Sequence, residues 1–207
     1  MDLEPPSTPQ SLIPSLLARI DRPIALVGMM GVGKSSLGRR LANLLDLPFF
    51  DADDEIEKAA AMSIPEIFAT YDEAYFRAGE RRVIARLIEP AGSTQHPAIK
   101  VIATGGGAFC NPDTRALILQ KTIAIWLDAD LETLVDRTSR KDNRPLLAGG
   151  NTREKLIALR ESRREFYVQA PIHILSSNVP HHRTLMQVVQ EISNWLDTHP
   201  IPDNPPL

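Results

Sequence analysis

The stretch GMMGVGKS at residues 28–35 constrains the fold of this chain more than any other. It fits G-x-x-x-x-G-K-[ST], a pattern that carries weight only between a strand and a helix. Both neighbours are present. PIALVG (23–28) is an apolar run of strand character, and Leu37, Leu41 and Leu44 follow at helical spacing. In such a strand–loop–helix unit the glycines let backbone N–H groups converge on phosphate oxygens, and the helix N-terminus adds partial positive charge. Lys34 then reaches the β- and γ-phosphates, and the Ser35 hydroxyl ligates Mg²⁺. Gly31, Val32, Gly33 and Ser36 complete the expected nucleotide-binding stretch. A chance glycine-rich turn would not put Lys-Ser in register behind a strand, so a nucleoside triphosphate site is expected.

The rest of the chain extends this unit. LPFF, AIKVIATGGG, KTIAIWL and APIHIL read as four more strands. Helical patterns lie between them at 112–120, 130–139 and 152–168, with a last one at 180–197. Continuously apolar strands separated by helices predict a parallel sheet covered on both faces. The fold class is therefore α/β, a three-layer α/β/α arrangement with a five-stranded parallel sheet. Residues 54–92 are helical throughout, too long for a simple crossover, and are expected to form an inserted helical subdomain. SRKDNRPLLAGGNT (139–152) is polar, glycine-bearing and broken by Pro145, as a mobile lid would be. Residues 1–22 and 198–207 are proline-rich and read as a partly disordered extension and a flexible tail around one domain at 23–197. SLIPSLLARI within the extension has the makings of a short docked helix.

Composition narrows the function classes. A net charge of −3 gives no basic surface for nucleic acid, and no apolar run is long enough to span a bilayer. The single cysteine, Cys110, excludes an internal disulfide framework and fits a reducing compartment, so a cytoplasmic chain is expected. No Asn-Lys-x-Asp segment for guanine follows a later strand, and 207 residues leave little room for a motor. A compact kinase of a small metabolite remains.

Such a kinase needs a carboxylate near the metal, and VIATGGG ends without one. FFDADDEIEK (49–58) supplies four acids in five positions. Asp51 at the strand end is placed to face the metal. Asp53, two residues on, shares its side if the segment is extended. Asp54 and Glu55 read as charge favouring a helix N-terminus.

Six motifs in order, GMMGVGKSS, DADDEIE, IPEIFATYDEAYFRAGE, ATGGGAF, NRPLL and RESRREFY, make Pro23–Ile174 similar to the shikimate kinases. These belong to the nucleoside-monophosphate-kinase-like group of phosphate-loop folds. The resemblance implies transfer of the ATP γ-phosphate to the 3-hydroxyl of shikimate, on the route to chorismate and the aromatic amino acids, by a monomeric enzyme. It also implies roles residue by residue. Asp51 is a magnesium-side carboxylate acting through water, and Asp53 contacts the attacking hydroxyl as orienter or base. Arg77 pairs with the substrate carboxylate and is held by Glu80. Gly105, Gly106 and Gly107 form the substrate floor. Arg163 supplies a second guanidinium, Arg144 belongs to the lid, and Arg137 lies against adenine. A guanidinium binds a carboxylate through two parallel hydrogen bonds, as a lysine cannot.

Plainer readings cover other residues. Arg81, Arg82, Arg86, Arg160 and Arg164 read as solvated helix faces, Trp126 as core, and Cys110 as inert with no partner nearby. Ile64, Phe68 and Phe76 could wall the substrate or simply pack the insert. Asp72 stands where the family often has glycine, Ser36 where threonine is common, and RREFY lacks a frequent proline after Arg163. SSNVP matches the family's adenine-contacting loop poorly. A gluconate-kinase-like enzyme and a catalytically silent nucleotide-binding regulator are the alternatives.

Overall fold

The computed structural model describes residues 13–89, 99–139, 151–176 and 181–199. Most of the stretch expected to form a lid, residues 140–150 with Arg144, lies outside the described residues, as does most of SSNVP.

Five parallel strands form one sheet: β1 (Ile24–Val27), β2 (Phe49–Asp51), β3 (Val101–Ala103), β4 (Ile123–Asp128) and β5 (Ile172–Leu175), in the order β2-β3-β1-β4-β5. Every residue of β1, β3 and β4 is buried, as continuous apolar runs predict for strands covered on both faces. The edge strands differ. In β5, Ile172 and Ile174 are buried while His173 and Leu175 face outward, so the run APIHIL is covered on one side only.

Leu16 of helix α1 (Ile13–Leu17) and Ile20 after it are seated in the core. Arg19, just beyond it, pairs with Asp197 at 2.7 Å near the end of α9 (His181–Thr198). The phosphate loop opens α2 (Lys34–Leu44), and its Gly28 and Gly33 have φ of 134° and 101°, values that favour glycine. A side chain at Gly28 would also strike the Leu127 carbonyl.

Three helices occupy the stretch expected as an insert: α3 (Ala52–Ala60), α4 (Ile64–Thr70) and α5 (Glu73–Ile88). Their starts are capped by side chains. Ser63 and Glu66 form a reciprocal capping box at α4. Asp72 accepts the Tyr75 N–H at 2.8 Å, so the residue that replaces a family glycine is the N-cap of α5. Helix α6 (Pro112–Lys121) packs against α5, and α7 (Leu131–Ser139) packs against α8 (Thr152–Tyr167). No described helix is long and apolar enough to cross a membrane.

Candidate active site

In a parallel sheet, ligands bind beyond the carboxyl ends of the strands where the order reverses. Here β1 delivers the phosphate loop to that edge, β2 delivers Asp51, and β3 delivers Thr104 followed by Gly105–Gly107. The register Asp51–Ala103–Leu26 sets these ends side by side. Thr104 is fixed by its N–H and hydroxyl, both donating to the Leu26 carbonyl at 3.1 and 3.0 Å.

A cavity of about 560 Å³ opens above them. It is lined by Gly31, Gly33, Lys34, Ser35, Ser36, Asp51, Asp53, Arg77, Gly105, Gly106, Gly107 and Arg137. Val32 is buried beneath the loop. The Lys34 ammonium donates to the Gly28 and Met29 carbonyls at 2.8 and 2.9 Å, which holds it at the loop. Arg137 donates to the Val32 carbonyl at 3.1 Å and so lies over the same loop.

The two aspartates meet differently from the extended geometry expected. Asp51 ends β2 and is the N-cap of α3, its Oδ1 accepting the Asp53 N–H at 3.1 Å. Asp53 stands in the first helical turn, so its position comes from the helix and not from strand alternation. Burial, then the charge of Asp51, pushes the Asp53 carboxyl up from 3.8 to about 6, with Lys34 opposing. Asp54 faces solvent beside Arg39 at 3.5 Å, and Glu55 pairs with Lys58 at 2.6 Å.

Arg77 is set by two carboxylates on its own helix, Glu80 at 2.7 Å and Glu73 at 3.0 Å. Glu80 is buried, and burial pushes its carboxyl up while Arg77 opposes. The glycines serve these side chains directly. A Cβ on Gly107 would stand 2.7–2.8 Å from the Arg77 guanidinium, and one on Gly105 would overlap Glu80 and sit 3.1 Å from Asp53. The triple glycine thus makes room for protein groups as well as for a ligand.

Arg163 is buried and does not line the cavity; its guanidinium donates to the Gly106 carbonyl at 3.1 Å from beneath the floor. The Tyr167 hydroxyl donates to the same carbonyl. Tyr167 was missed as a site residue. The available signal was its spacing, since residues four apart on α8 share a face with Arg163. Cys110 is not isolated either. Burial pushes its thiol up, with Arg163, Arg77 and Tyr167 among its neighbours. Ile64, Phe68 and Phe76 line the cavity, with the two phenyl rings 4.9 Å apart. Trp126 is core. Arg160, expected to be solvated, instead donates to Asp128 at 3.2 Å.

The oxygen donors Ser35 and Asp51 suit a hard cation such as Mg²⁺. No group of three or more His, Cys, Asp or Glu among the described residues forms an all-protein cage.

The family model for shikimate kinase matches residues 30–197. The chain belongs to the shikimate kinase family. The shikimate kinase of Novosphingobium aromaticivorans is 60% identical over 178 residues, covering 86% of this chain and 91% of that protein. The solved shikimate kinase from Acinetobacter baumannii, in complex with shikimate, superposes with a TM-score of 0.73 at 32% identity. It covers 92% of this chain and 99% of its own. A gluconokinase from Sinorhizobium meliloti superposes with a TM-score of 0.59 at 14% identity, which shows a shared fold only. Membership of the shikimate kinase family accounts for the five-stranded sheet and for the phosphate loop beside the Asp53–Arg77–glycine cavity.

Proposed function

We propose that this chain transfers the γ-phosphoryl group of ATP to the 3-hydroxyl of shikimate, giving shikimate 3-phosphate and ADP. The observation that carries the reading is one cavity shared by the phosphate loop, Asp53, and an arginine pinned by two carboxylates. Shikimate has a carboxylate and three hydroxyls. Arg77 offers its guanidinium to the carboxylate, and Glu80 and Glu73 remove its rotational freedom beforehand. Arg163, whose guanidinium is held on the Gly106 carbonyl in the free protein, turns from beneath the floor to supply the second guanidinium as the acid docks. Phe68 and Phe76 cover the ring.

This orientation brings one hydroxyl to Asp53. Its carboxylate accepts that hydrogen bond and aligns the oxygen with the γ-phosphorus. A carboxyl titrating near 6 is a better proton acceptor than an ordinary aspartate. As the new O–P bond forms and the bond to the leaving ADP oxygen breaks, the hydroxyl proton passes to Asp53. Lys34, the loop N–H groups and Arg144 compensate the phosphate charge. Mg²⁺, held by Ser35 and through water by Asp51, would neutralise charge on the nucleotide phosphates. Arg137 would border the adenine. The working unit is a cytoplasmic monomer; the compartment is supported by a sequence with a single cysteine, which suits a reducing environment.

An ADP-release assay run with shikimate, with gluconate and with no acceptor tests this. Release dependent on shikimate alone is expected. Equal release with gluconate, or none with either acid, would overturn the reading.

A further inference from the structure

A second cavity, of about 310 Å³, lies behind the first, between α3, α4 and α5. Its floor is apolar, built from Ile56, Ile67, Phe76 and Val83, and Gly79 of α5 opens onto it. Gly79 has no packing reason to be glycine. A Cβ there would meet nothing within 4 Å, yet in a helix interior only proline is less favourable. The bare backbone keeps the groove open.

The rim has a definite chemistry. Arg82 and Arg86 stand four residues apart on α5 and both line the groove. Among the described residues Arg86 has only a distant pairing with Glu55, at 3.8 Å, and Arg81 pairs with Asp113 at 3.7 Å. Arg82 is exposed. Tyr75, 47% exposed and stacked on Tyr71 at 4.1 Å, presents an aromatic face at the mouth. Apolar floor, aromatic mouth and guanidinium rim describe one class of ligand.

We propose that this groove is a second ligand site, taking a small aromatic carboxylate with its ring between Ile67 and Val83 and its charge on Arg82. Phe76 walls both cavities, and Arg77 is its neighbour on α5. Occupancy of the groove therefore couples to the acceptor site, and by linkage each ligand changes the affinity of the other by the same factor. The groove stands without the proposed activity; only the coupling rests on it.

Titration calorimetry of the full chain with 3-phenylpropanoate, and with its uncharged amide, tests the site. One acid per chain is expected, bound at least tenfold more tightly than the amide. Gly79→Leu, which fills the groove, and Arg82→Gln, which discharges its rim, should each weaken the acid at least tenfold and leave kcat unchanged. Gly79→Leu leaves the Arg77 cavity intact, so undiminished binding to that variant would put the acid in the acceptor site and overturn the proposal. Absence of saturable binding, or an amide bound as tightly as the acid, would overturn it too. The acid's Kd with and without saturating shikimate should differ at least threefold; equal values, with the groove variants still defective, would overturn the coupling alone.

Discussion

Asp53→Asn separates the electrostatic cost of the catalytic carboxylate from its chemical use. In the free protein the Asp53 carboxyl titrates at about 6 instead of 3.8, because burial and Asp51 oppose its charge more than Lys34 favours it. A folded-state pKa above the unfolded one means that the protonated form is the stabilising one. That contribution is complete below about pH 4 and is lost as pH rises through 6. A displacement of this size corresponds to about 3 kcal/mol between the two protonation states. Asparagine keeps the shape and cannot ionise, so the variant should match the wild type near pH 4 and exceed it by about 2–3 kcal/mol at pH 7.5. For a domain of this length that is about 5–10 °C in Tm. The assay is urea or thermal unfolding in a chelator without nucleotide, from pH 4 to 8. The same variant should lose at least about 100-fold in turnover. A variant less stable than wild type at pH 7.5, or an offset that does not change with pH, would refute the electrostatic picture.

Other consequences are simpler to state. Arg77→Lys keeps the charge but not the two-pronged donor, so KM for shikimate should rise at least about tenfold with KM for ATP unchanged, a loss of about 1.4 kcal/mol or more. A parallel rise in both would mean that Arg77 shapes the whole cleft. Tyr167→Phe removes one of two donors on the Gly106 carbonyl and should lower kcat/KM for shikimate about fivefold, the worth of one hydrogen bond near 1 kcal/mol. Unaltered kinetics would leave Tyr167 as core alone. Asp72→Ala removes the N-cap of α5 and should cost about 1 kcal/mol of stability in denaturant titration. No change would mean that tertiary packing alone sets that helix start.

Much of this architecture is written locally and is therefore legible in sequence. Buried parallel strands announce themselves as apolar runs, and the phosphate loop carries its own strand and helix. What a linear pattern does not display is the space between elements. It showed three glycines but not that Glu80 and Arg77 need their missing side chains. Asp51 and Asp53 were paired on the premise of an extended segment, whereas a helix begins between them. Arg163 stood out by motif, yet only the packing of α8 shows it under the floor beside Tyr167. Arg160 looked solvated because its partner, Asp128, lies on another element.

The central claim is that shikimate lies with its carboxylate on Arg77 and Arg163 and its reactive oxygen on Asp53. A crystal structure of this protein with shikimate and MgADP tests it most directly. The account predicts the acid within hydrogen-bonding distance of both guanidinium groups and the 3-hydroxyl within about 3 Å of an Asp53 oxygen. A ring bound with another hydroxyl at Asp53, or with its carboxylate away from Arg77, would contradict it.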